Sequence, residues 1–131
     1  MIFISEIQQR LLESPLIVEK VGPRIYGYRA GENNDTSNLY VIIRPLGPPA
    51  PEKPVSDNFM AESHLVKVDV EGADLLDVQA VQNEIRKIMH SFGLRQMPDG
   101  LDEFFDATKH YVDSRNYSGI PNEFYYKSKL I

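Results

Sequence analysis

Between Ser63 and Phe92 the hydrophobic period of the chain switches once, from two residues to about 3.6, and this switch constrains the fold more than any other feature. Ser63 to Glu71 (SHLVKVDVE) puts Val66, Val68 and Val70 on one face and Lys67, Asp69 and Glu71 on the other, the pattern of a half-buried strand. Gly72 ends it. Asp74 stands where an N-cap is needed, with Asp77 three residues on, and Val78, Val81, Ile85, Ile88, Met89 and Phe92 form a continuous apolar stripe up to Gly93 as the stop. At 1.5 Å per residue this helix is about 28 Å long, enough to cover a sheet face.

The flanking segments extend the sheet. Ile4, Ile7, Leu11 and Leu12 share one face of a short helix, with Ser5 and Gln8 placed as a capping box, and Ser14-Pro15 ends it because the residue before proline is pushed out of the helical region. Arg24 to Arg29 alternates Ile25 against Tyr26 and Tyr28 between turn residues, and Asn38 to Arg44 (NLYVIIR) has β-branched and aromatic residues on both faces. These predict two strands joined as a hairpin, the second in the sheet interior. Leu94 to Met97 reads as a short strand, Asp99-Gly100 as a turn, and Lys109 to Tyr117 (KHYVDSRNY) as a further strand with Tyr111 and Tyr117 on the same parity. The expected fold class is α+β, a mostly antiparallel sheet with one long and one short helix packed on one side. At 131 residues, one domain spanning 1–131 is expected.

Two segments stand apart. Pro45, Pro48, Pro49, Pro51 and Pro54 fall within the run PLGPPAPEKPVSDN (45–58), which predicts a stiff, polyproline-like loop, either a variable surface insertion or an arm that contacts a partner. Residues 121–131 (PNEFYYKSKLI) combine aromatic and apolar side chains in a C-terminal arm expected to dock on its own sheet or on a neighbour. The candidate interface residues are therefore Pro48, Pro49, Pro51 and Lys53 in the loop, and Phe124, Tyr125, Tyr126, Leu130 and Ile131 in the arm.

Composition excludes several function classes. Lys+Arg 14 against Asp+Glu 19 leaves a formal charge of −5, opposed to a surface built for nucleic-acid phosphates or anionic lipid. Without cysteine there is no disulfide framework, thiolate zinc site, cysteine nucleophile or CxxC pair, which leans towards a reducing compartment. No apolar run approaches the roughly 20 residues of a membrane span, and Met1 to Arg10 lacks the basic start and apolar stretch of a signal peptide. His64, His90 and His110 have no metal-ligand spacing, and the acids Asp99, Asp102, Glu103 and Asp106 lack an EF-hand pattern, reading instead as a solvated turn and a helix N-terminus. No carboxylate is followed by the Glu-x-Lys of restriction-type nucleases, and no GxSxG, GxxxxGK[ST] or post-strand GxGxxG occurs. The seven tyrosines suit single-stranded nucleic acid only alongside a basic groove, and suit protein interfaces without one. No catalytic residue, cofactor or metal is expected. The competing class is a small α+β enzyme or ligand-binding domain whose site is assembled from His64, His110 and the acids between Asp99 and Asp106.

The segments GPRIYGYRA, YVIIRPLG, HLVKVDVEG, IRKIMHSFGL and YVDSRNYSG, in this order after a short amphipathic helix, resemble the small tail terminator proteins of long-tailed phages and prophages. The resemblance spans most of the chain and leaves out the proline-rich loop and the aromatic arm. It implies an α+β subunit that closes, with five other copies, into a hexameric ring on the end of the tail tube. That ring ends tube polymerisation and presents a surface to the head connector. It further implies a non-enzymatic virion protein of the tail and neck, assembled in the host cytoplasm, whose partners are itself, the tail tube protein and a neck protein, with no membrane contact. Another neck component, such as a head completion or stopper protein, is the alternative within this setting. Six copies would carry about −30 formally, so acids facing the bore would let DNA pass without specific binding, whereas acids spread over the outside would serve solubility alone.

Overall fold

The computed structural model describes residues 2–31, 35–47, 50–56 and 59–120, with the side chains of 2–3, 50–56 and 59–62 excepted. Three helices, α1 (Ile2–Leu11), α2 (Pro15–Lys20) and α3 (Leu75–Ser91), accompany six strands, β1 (Ile25–Gly27), β2 (Tyr40–Pro45), β3 (Ala50–Ser56), β4 (Phe59–Gly72), β5 (Leu94–Phe105) and β6 (His110–Gly119). The strands form a sheet in the order β1-β2-β4-β6-β5, with β3 paired to the first part of β4. Every pairing is antiparallel except β1 with β2. The α+β class with a mostly antiparallel sheet is as expected.

The period switch produces the centre of the molecule. Val66, Val68 and Val70 of β4 are buried, as are Val78, Val81, Ile85 and Met89 on α3, and they join Val41 and Ile43 of β2 and Tyr117 of β6 in one core. Asp74 caps α3, its Oδ1 accepting from Leu76 N at 2.9 Å and Asp77 N at 3.3 Å, and Gly93 leaves the helix at φ 100°. The apolar faces of α1 and α2 add Ile4, Ile7, Leu11, Ile17 and Val21 to the same core.

One polar side chain lies inside this apolar layer. Gln82 of α3 is fully buried, and its Nε2 donates to the Val68 carbonyl at 3.1 Å and the Asp113 carbonyl at 2.7 Å. The Tyr117 hydroxyl donates to Gln82 Oε1 at 3.2 Å. The amide thus ties the helix to two adjacent strands and satisfies the one polar atom of a buried tyrosine.

Several expectations are corrected. Ser5 and Gln8 form no capping box, because α1 starts at Ile2 and both lie inside it; Gln8 instead reaches β1, donating to Ile25 O at 3.0 Å. Ser14-Pro15 ends α1 and also opens α2, a second short helix: the Ser14 hydroxyl accepts from Ile17 N at 3.5 Å, and proline at the first helical position needs no hydrogen-bond acceptor. β1 and β2 are parallel, not a hairpin. The chain leaves β1 at Tyr28 with φ 67°, and the connector of residues 28–39 has the length of a crossover rather than of a tight turn.

The proline-rich segment is not a loop throughout, since β3 pairs with β4 and its register shifts at Pro51/Pro54 and Pro54/Ser56. Prolines are tolerated there because β3 is an outer strand with a side that needs no donors. Asp99-Gly100 is no turn but part of a bulge between Gln96 and Gly100 inside a single long β5, and no helix follows the acids. Glycine is required at position 100, where a Cβ would lie 2.5 Å from Ser114 O. Pro48, Pro49 and the arm 121–131 lie outside the described residues, and no described helix is long and apolar enough to cross a membrane.

Removing the buried amide should be costly. Gln82→Ala leaves a cavity and an unpaired tyrosine hydroxyl, with an expected loss of about 2 to 4 kcal/mol in urea unfolding; a loss under about 1 kcal/mol would contradict the role given to Gln82. Burial pushes the Tyr117 phenol from 10.0 up to about 12, a shift that the neighbouring Arg115 opposes and Asp113 reinforces. The folded state therefore keeps a proton that the unfolded chain releases, so this contribution is complete below pH 10 and is lost as pH rises from 10 towards about 12. Urea midpoints across that range should fall less steeply for Tyr117→Phe than for the parent chain.

Candidate interaction surface

The two faces of the sheet have different chemistry, set by strand register. On the helix side, Val41, Val70, Asp113 and Asp102 follow one another across β2, β4, β6 and β5, and Ile43, Val68, Arg115 and Gly100 form the next row. The apolar half of each row is buried in the core. The polar half opens into a cleft of about 390 Å³ between α3 and the β5–β6 pair, lined among others by Asn83, Arg86, Gln96, Asp102, Asp113 and Arg115. Arg115 binds Asp113 in a fork, Nε to Oδ1 at 2.9 Å and Nη2 to Oδ2 at 3.1 Å. Burial raises the Asp113 carboxyl above its ordinary value in spite of that partner.

On the opposite face, Arg44 Nη2 donates to Asp69 Oδ2 at 2.9 Å, and His110 Nδ1 lies 3.0 Å from Glu71 Oε2. Burial first, and then the Glu71 carboxylate, push the Tyr40 phenol upward. Asp69 Oδ1, Ser114 Oγ and Asn116 Oδ1 are buried without a hydrogen-bond partner among the described residues. Asp69 and Ser114 face each other directly, and Asn116 lies in the next row beside Lys67.

His64 and His110 do not converge. They pair at opposite ends of β6, His64 with Gly119 across to β4 and His110 with Phe105 across to β5, about 30 Å apart along the strand. Neither lines the cleft, whose wall is polar rather than apolar, unlike most small-molecule sites. Among the described residues no group of three or more His, Asp or Glu is placed to hold a metal ion. The acids Asp99, Asp102, Glu103 and Asp106 lie along β5 and its end and are exposed.

Four of the exposed large apolar side chains lie on the same strand, while others, Leu76 at 75% among them, lie elsewhere. β5 is a sheet edge, and Met97, Leu101, Phe104 and Phe105 are 38%, 38%, 44% and 40% exposed. The Phe104 ring packs on Tyr111 of β6 at 4.8 Å between centroids. A twelve-residue edge strand with exposed aromatic residues is a surface that pairs with another chain unless it is protected. The sequence places this segment as a four-residue strand and a turn, and so does not single out Leu101, Phe104 or Phe105; LDEFF has no apolar–polar alternation to signal a strand. Of the interface residues expected from sequence, Pro51 and Lys53 lie on β3, whose backbone alone is described, and Pro48, Pro49, Phe124, Tyr125, Tyr126, Leu130 and Ile131 lie outside the described residues.

No family model and no curated protein matches the sequence. Among solved structures, a chain from the "Virion of native gene transfer agent (GTA) particle" superimposes with a TM-score of 0.60 over 87% of this chain and 90% of that chain. The two are 12% identical. The likeness is one of fold. It extends over nearly the full length of both chains, so the α+β arrangement described above, rather than an isolated motif, is what they share.

Because Leu101 and Phe105 are 38% and 40% exposed, Leu101→Ser and Phe105→Ser should change unfolding free energy by less than about 1 kcal/mol while reducing the fluorescence of a hydrophobic surface dye. A large loss of stability would mean that these side chains belong to the core.

Proposed function

We propose that the chain is a structural protein of a phage-like virion, and within it the tail terminator that caps the tail tube. The observation that carries this is the fold shared with a chain of a gene transfer agent virion over 87% of the one and 90% of the other. The sequence resemblance to tail terminators supports the finer assignment. A capping protein acts by stoichiometric binding: it covers the growing end of a polymer and offers a different surface on its far side. Its physical requirements are a rigid scaffold and exposed pairing surfaces, and the sheet backed by α3 with an apolar edge at β5 meets both.

In this proposal no residue is catalytic and no cofactor or metal takes part. The wide separation of His64 and His110 along β6 supports it against the enzyme alternative. The copies form a ring, hexameric in the family resembled, between the tail tube protein and a neck protein, and DNA passes its bore without specific binding. The net charge of −5 per copy supports that last point. The matched structure is named for a whole virion, so a head completion or stopper protein is the second candidate.

The test is incubation of the purified chain with polymerising tail tube protein, followed by electron microscopy. A ring at one end of each tube and arrested elongation are expected for a terminator. Tubes that lengthen unchanged would reject the terminator, and binding to the head connector instead would identify a neck component.

A further inference from the structure

The sheet has several free edges, and their protection is unequal. At β1, the outward carbonyls are taken by the chain itself: Gln8 Nε2 donates to Ile25 O at 3.0 Å and Arg29 N to Gly27 O at 2.7 Å. β3 carries Pro51 and Pro54, which have no N–H to offer. The first part of β5 is closed as well: Gln96 N donates to His90 Nε2 at 3.2 Å, Pro98 has no donor, and the bulge follows. From Gly100 to Phe105, β5 runs in unbroken register with Arg115 to His110, and no described strand pairs with its outer side. Six residues offer about 20 Å of backbone to an added strand.

The chemistry of that stretch selects its occupant. Between Gln96 and Thr108 there are four acids, Asp99, Asp102, Glu103 and Asp106, and no base. Pairing with the same edge of a second copy would set acids against acids. The proline-bearing β3 and the closed β1 edge of a second copy are poor strand donors. Residues 121–131 carry Lys127 and Lys129 against Glu123 alone, and after Pro121 they hold no further proline and are rich in residues favoured in strands. In an extended conformation they alternate, Phe124, Tyr126 and Leu130 against Tyr125, Lys127, Lys129 and Ile131, so each face carries aromatic or apolar side chains. Both faces of β5 likewise carry aromatic or apolar side chains, Phe104 with Asp102 on the helix side and Leu101 and Phe105 with Glu103 on the other.

Geometry favours a neighbour over the same copy. Gly119 pairs with His64 on one side and Leu94 on the other, so β6 ends between two strands. A Cβ at Gly119 would overlap the Gly93 carbonyl oxygen, which places the turn from α3 into β5 hard against the exit of the chain. That turn stands between Ile120 and the outer side of β5 in the same copy.

We propose that the Gly100–Phe105 edge of one copy receives residues 121–131 of a second copy as an added strand. Each copy has one such edge and one such segment, so the contact joins two different surfaces and can repeat head-to-tail, which generates a ring where the rotation closes. The inference rests on the capping-ring function and supplies its subunit contact.

A charge swap in the full-length chain tests it. Sedimentation at low salt should show concentration-dependent association of the parent chain, weakened about tenfold or more by Asp102→Lys/Glu103→Lys and equally by Lys127→Glu/Lys129→Glu. The chain with all four replacements should regain association. A mixture of the two double variants should regain it as well, because each then meets a complementary partner in the other copy. A parent chain that stays monomeric, an association indifferent to either pair of replacements, or a mixture that stays dissociated would each overturn the proposal. Circular dichroism of each variant separates a lost contact from a lost fold. The assay contains no tail tubes, so this contact can fail while tube capping succeeds, and the reverse.

Discussion

Strand β4 is the constraint on which the other elements depend. It pairs with β2, β3 and β6, and its Val66, Val68 and Val70 form the floor on which α3 lies. A slip of one residue would turn those valines outward and bring Lys67, Asp69 and Glu71 under the helix. Both faces resist the slip. On the helix side the Gln82 amide holds the carbonyls of Val68 and Asp113, and on the other side Asp69 meets Arg44 while Glu71 meets His110. The apolar row supplies most of the stabilisation, and the polar contacts select one register among those the valines alone would allow.

Among the described residues most backbone edges are protected, and part of one has no paired strand on its outer side. Helix α1 serves two ends here, burying Ile4, Ile7 and Leu11 in the core and spending Gln8 on the outer carbonyl of β1. The bulge and Pro98 blunt the start of β5, whereas its second half combines aromatic residues, acids and regular register. A regular edge of this kind pairs with another chain unless something covers it. In the polar cleft beside it Arg115 and Asp113 form an ion pair.

The sequence was most legible where one segment satisfied one period. The strand from Ser63, the cap at Asp74, the stripe from Val78 to Phe92 and the stop at Gly93 appear in the structure as expected, because side-chain patterning and burial agree there. The parallel pairing of β1 was hidden, since alternation reveals that a strand exists and not which way its partner runs. The β3 strand was hidden because proline speaks against a strand in general but not against an outer one. In β5 the Pro98-Asp99-Gly100 sequence has the composition of a turn, and only the register with β6 identifies it as a bulge within a continuous strand. The open edge was invisible for the same reason: it is a property of strand order, which no local pattern encodes.

The four-residue turn from Asp106 to Lys109 has a kinetic consequence. It brings Phe105 and His110 together across a short loop, while β4 and β6 join residues 39 to 55 positions apart. Closing the short loop costs little chain entropy, so the β5–β6 pair can form early and locally, and the long-range pairing with β4 then limits the rate of folding. The aromatic edge of β5 would accordingly exist before the sheet behind it is complete, and the acids along it would keep nascent chains apart during that interval.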